Sequence, residues 1–144
     1  MSTNRIYCGQ LDNEPKTVNL PVASTYSPGI LVTASTTALT VATTAEANLH
    51  VLANRDFYDQ SMAAAYASGD TGVAYKTRPG DVFQVRMAAA TYAYDQALTV
   101  GASGYLTDAG SDDIVVAVFK DTAGAYSAGD LAKVEFVSKY TATA

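Results

Sequence analysis

Gln96-Ala-Leu-Thr-Val-Gly-Ala-Ser-Gly-Tyr-Leu-Thr-Asp-Ala-Gly-Ser-Asp-Asp-Ile-Val-Val-Ala-Val-Phe-Lys120 decides the reading of this chain. Its apolar runs, Leu98 to Val100, Tyr105 to Leu106 and Ile114 to Phe119, are separated by Gly, Ser and Asp clusters, the punctuation of a tight antiparallel meander. The last run is too short for a helix pattern and is rich in β-branched residues, so it is predicted to be a strand buried on both faces. The chain therefore has a β core. Asp108, Asp112 and Asp113 read as turn residues, and the stretch holds no His or Cys.

Working outward, 144 residues of 15.0 kDa bound the chain to one domain with one core. Charged residues are only 16%, below the usual quarter or so, which suits a neutral surface that another protein can cover. A net charge of −5 and scattered basic residues argue against nucleic-acid or anionic-membrane partners. Residues 1 to 6 lead into polar sequence rather than a signal peptide, and no apolar run approaches the ~18 residues of a membrane helix, so assembly in the cytoplasm is expected. Cys8 is the single cysteine, which excludes an intrachain disulfide.

Residues 1 to 28 interrupt isolated apolar positions with Asn, Asp, Glu and Gln, and Pro15 and Pro21 forbid a helix and confine any strand to an edge. They read as an extended N-terminal arm whose contact residues are Ile6, Tyr7, Leu11, Val18, Leu20 and Val22. Residues 29 to 140 form the domain and 141 to 144 a tail, with polar character beginning at Lys139. Strands are expected at Ile30 to Thr33, Leu39 to Ala42, Leu49 to Ala53 and Leu131 to Val137, and the segment from Tyr75 to Met87 carries Phe83, Val85 and Met87 on one face with Val82, Gln84 and Arg86 on the other.

Met62 to Ala67 and Met87 to Ala93 echo one another and, despite their alanines, read as extended or irregular. Gly69-Asp70, Gly80-Asp81 and Gly129-Asp130 are strand starters, with Gly turning the chain and Asp bonding amides two residues on. Gly80-Asp81 and Gly129-Asp130 open the most similar strands. His50, the only histidine, reads as a packed mid-strand residue. No catalytic, cofactor-binding or metal residue is expected, because no nucleotide-binding, metalloprotease or serine-hydrolase motif occurs. Ten tyrosines without tryptophan suit protein interfaces.

The order Pro28-Gly29-x-Leu31-Val32, Val51-Leu52-Ala53, Tyr66-Ala67-x-Gly69-Asp70, Pro79-Gly80-Asp81-x-Phe83, Leu98-x-x-Gly101-x-x-Gly104-x-Leu106, Val115 to Val118 and Gly129-Asp130-Leu131-x-x-Val134 resembles the capsid decoration or cement proteins of tailed bacteriophages. The resemblance implies an all-β fold, a small single-domain β-barrel or β-tulip-like sandwich, with an arm lying on the coat. It also implies a non-enzymatic virion protein without cofactors. Such a protein binds the outer surface of the head, clamps major capsid protein subunits, and pairs with itself as a dimer or trimer. The alternative reading is a β-barrel binding module, carbohydrate-recognising or adhesin-like, with surface tyrosines as stacking platforms.

Overall fold

The computed structural model describes residues 6–9, 15–45, 48–55 and 60–142. Twelve strands account for its regular structure: β1 Thr17–Pro21, β2 Leu31–Ala34, β3 Leu39–Val41, β4 Leu49–Ala53, β5 Thr71–Lys76, β6 Val82–Arg86, β7 Ala90–Tyr92, β8 Ala97–Val100, β9 Leu106–Asp108, β10 Ile114–Phe119, β11 Gly124–Tyr126 and β12 Leu131–Thr141. The only helical element among the described residues is a single 3-10 turn, Ala102–Gly104. The fold is all-β. Two five-stranded antiparallel sheets run in the orders β1-β5-β4-β2-β3 and β6-β12-β10-β8-β9, and β7 and β11 make a small ribbon.

These two orders are the same topology repeated. Pairing registers superpose throughout: Val18 opposite Ala74 matches Phe83 opposite Val134, Val32 opposite His50 matches Leu98 opposite Ala117, and Leu52 opposite Ala74 matches Phe119 opposite Val134. Each sheet curls until the residue after its first strand meets its last. Val22 bridges Leu39, and Met87 bridges Leu106. Beside these bridges the Ala23 and Ala88 N–H groups donate to the Leu39 and Leu106 carbonyls at 2.9 and 2.8 Å. One bridge per sheet curls it without closing a barrel.

The curl encloses equivalent apolar sets. Val22, Val32, Leu39, Leu52, Tyr66 and Ala74 cluster inside the first half. Their counterparts Met87, Leu98, Leu106, Phe119, Tyr126 and Val134 lie in or against the larger core of the second. That larger core also receives the opposite face of the first sheet, through Leu31, Leu49, Val51 and Tyr75, so the halves stack head to tail. This is why β4 is buried at all five residues. Each large apolar side chain so buried contributes about 1.5–3 kcal/mol.

The Gly-Asp pairs start strands as expected, but by a different bond. Asp70 Oδ2 accepts the Ala67 N–H at 3.0 Å and Asp130 Oδ2 the Ser127 N–H at 2.9 Å, three residues back rather than two on. Gly69 and Gly129 take φ of 89° and 90°, as the third position of a type II turn requires. The true repeat is Ala65-Tyr66-Ala67-Ser68-Gly69-Asp70 with Ala125-Tyr126-Ser127-Ala128-Gly129-Asp130. Gly80-Asp81 is not its partner; Asp81 instead clamps Arg78 through bonds of 2.8 and 3.0 Å.

Other expectations need correction. Ile114 to Phe119 is the middle strand of its sheet and Val115, Val116, Ala117 and Phe119 are buried, yet it pairs with β8 and not β9, so the three runs are not a simple meander. The β8–β9 hairpin instead reaches across to β2. A Cβ on Gly104, whose φ is 75°, would meet the Leu31 carbonyl oxygen at 2.7 Å. The tail is partly strand: β12 runs to Thr141, and a register shift opposite Val116 lets its end pair with Ile114 and Val115.

The arm over residues 1 to 28 is, where described, built into the domain. Residues 17–21 are β1, an edge strand that ends at Pro21 as proline demands.

Candidate functional site

Of the expected arm contacts, Ile6, Tyr7 and Val22 are 0%, 4% and 1% exposed and belong to the protein's own cores. That corrects their assignment as capsid-contact residues, since a side chain enclosed by its own fold presents nothing to a partner. Tyr7 packs on Tyr75 and Phe83 with ring centroids 5.6 and 5.4 Å away. Its main chain bridges Phe83, and the flanking groups complete the bridge: Gln84 N–H donates to the Ile6 carbonyl at 2.7 Å and Cys8 N–H to the Val82 carbonyl at 2.8 Å. Leu11 lies outside the described residues. Val18 and Leu20 are half-buried on β1, so of the five that are described only these two sit on an edge that another molecule can reach.

The chemistry-bearing side chains do not converge. His50 is 3% exposed in β4, its Nδ1 3.1 Å from the Asn48 carbonyl oxygen. Burial pushes its pKa below 6.5, with Lys76 adding to the fall and the Asn48 bond opposing it. Cys8 is half-buried, its thiol donating to the Ile6 carbonyl at 3.6 Å. Among the described residues no three His, Cys, Asp or Glu side chains are grouped as a metal would need.

One polar constellation was not legible in the sequence. Arg86 donates through Nε to the Pro28 carbonyl at 2.7 Å, through Nη1 to Gly129 at 2.8 Å and through Nη2 to Met62 at 2.6 Å. Burial pushes its guanidinium below the usual value, with Tyr105 opposing. A planar fork is suited to hold three carbonyls from three separate loops. Arg86 thereby fixes the loop end of the molecule.

Beside that end, Thr25, Tyr26, Ser27, Ile30, Val41, Ser103 and Tyr105 line a cleft of about 270 Å³. Tyr26 is held in its wall by the Val41 N–H, which donates to its hydroxyl at 3.1 Å. Thr43, Thr44, Thr99, Asp112, Asp113 and Ile114 border another of about 260 Å³. Neither contains a base set against a nucleophile. Both are open depressions suited to contact.

No family model matches this chain, and no curated protein matches it. Among solved structures it is similar to the N base of the head fiber gp8.5 of bacteriophage phi29, with a TM-score of 0.56 and 14% sequence identity over 85% of this chain and 93% of that one. What the two share is the fold.

Proposed function

We propose that this chain is a structural, non-catalytic protein of a tailed-phage head, carried on the outer surface where it bears on major capsid protein subunits. The observation that carries the reading is the fold shared, over nearly its whole length, with the N base of a phage head fiber. The chemistry of the surface is consistent with it. A body of net charge −5 stays soluble and does not adhere to DNA, and modest contacts repeated over a lattice sum to firm attachment. The test is co-sedimentation of the purified chain with heads that lack it. Saturation at a fixed stoichiometry supports the reading, and absence of binding at micromolar concentration sinks it.

A carbohydrate-binding module is the second reading, favoured by the Tyr26 and Tyr105 cleft with its Thr25, Ser27 and Ser103 hydroxyls. Glycan-array binding that is lost in Tyr105→Ala would move the assignment there.

A further inference from the structure

The duplication allows one half to be read against the other. In the second half the outer edge of β6 is covered by residues 6–8, through the Gln84 and Val82 bonds given above. In the first half the matching edge belongs to β1, and no strand among the described residues covers it. Lys16 and Val22 turn their main-chain groups inward, the Lys16 carbonyl accepting from Lys76 N–H and Val22 N–H donating to Asp70, both bonds on the β5 side. Alternation along an antiparallel ladder therefore turns Thr17 and Asn19 outward. These are the counterparts of Val82 and Gln84.

The side chains around that edge state what it would accept. Tyr7 sits against Phe83, which in turn meets Phe136 edge-on. The counterpart of Phe83 is Val18, and that of Phe136 is Lys76. Lys16 and Lys76 are both exposed, and neither has an ion pair among the described residues. An aromatic seat has become an aliphatic floor with two exposed lysines paired across the ladder at one end of it, on a protein that is acidic overall.

We infer that the β1 edge binds an extended acidic segment of a second protein. The segment runs antiparallel, taking Asn19 N–H and Thr17 C=O, with an Asp or Glu placed where Tyr7 sits in the other half. A second copy is the poorer occupant, because β1 paired with β1 about Asn19 would set Pro21, which lacks an N–H, opposite Thr17. The direction is the reverse of an arm reaching out: here the partner's strand is added to this protein's sheet. That the second protein is a coat subunit rests on the function proposed above.

The test uses the full chain, heads lacking it, and a strand-length synthetic peptide alternating Glu with Val and Thr. Asn19→Pro deletes the outward N–H while sparing the bonds to β5, and Asn19→Ala retains it. Thermal melts of both confirm that the fold is kept. Asn19→Pro should weaken binding to heads by about tenfold, the worth of a lost main-chain bond, with Asn19→Ala near wild type and Lys76→Glu also weakened. Heads that bind Asn19→Pro like wild type overturn the inference and leave the functional proposal standing. Self-association abolished by Asn19→Pro overturns it in favour of a second copy. If heads do not bind the wild type at all, the functional proposal falls and the peptide decides: capture by wild type but not by Asn19→Pro upholds the acidic-strand site, and no capture overturns it.

Discussion

At the scale of single residues, His50 and Arg86 show how burial gives an ordinary side chain a measurable task. The folded chain holds the His50 ring below its usual 6.5. As pH falls the unfolded chain therefore takes up the proton first, and the folded state loses ground. Stability should be level above about pH 7, decline from about pH 6.5 and flatten once the buried ring itself protonates. Urea midpoints measured between about pH 7.5 and pH 5.5 should fall for wild type and fall less for His50→Gln, which lacks the titration. Arg86 is the opposite case, a permanent cation satisfied by carbonyl oxygens of Pro28, Met62 and Gly129. A lysine ammonium has no fork to span them. Arg86→Lys should cost about 2–3 kcal/mol in chemical denaturation, and amide exchange should quicken in all three loops at once.

At the scale of elements, the strands are set by punctuation more than by propensity. Runs as short as β3, β7 and β9, of three residues each, carry little preference alone; turns deliver them to their partners. Asp70 and Asp130 close equivalent turns with equivalent bonds to Ala67 and Ser127. Asp70→Ala and Asp130→Ala should each destabilise by about 1 kcal/mol, and the double variant by close to the sum. Melts that show one large effect and one negligible one would contradict the equivalence of the two halves. Asp81 lies in a similar Gly-Asp turn and also opens a strand, but its carboxylate is spent on Arg78, so likeness of sequence there does not mark the structural repeat.

For the whole molecule, the N-terminal residues bear first on stability. Ile6 and Tyr7 fill the larger core and 6–8 cover β6, so removing them is a stability experiment before it is a binding one. Ile6→Ala should cost about 2–5 kcal/mol, seen as a lowered melting temperature even with no capsid present. An unchanged melt would restore the detached arm. By itself the sequence determined the fold class, the central β10, the glycine turns and the edge placement of β1, because periodicity, branched side chains and proline act within a few residues of where they stand. That Ile6, Tyr7 and Val22 are core, that one topology occurs twice and that Arg86 ties three loops emerges in the folded chain alone. Those facts depend on contacts between residues distant in the chain. The paired halves share few identities beyond Ala-Tyr and Gly-Asp, so a duplication kept by hydrogen-bond register and side-chain volume leaves little for a linear reading to find.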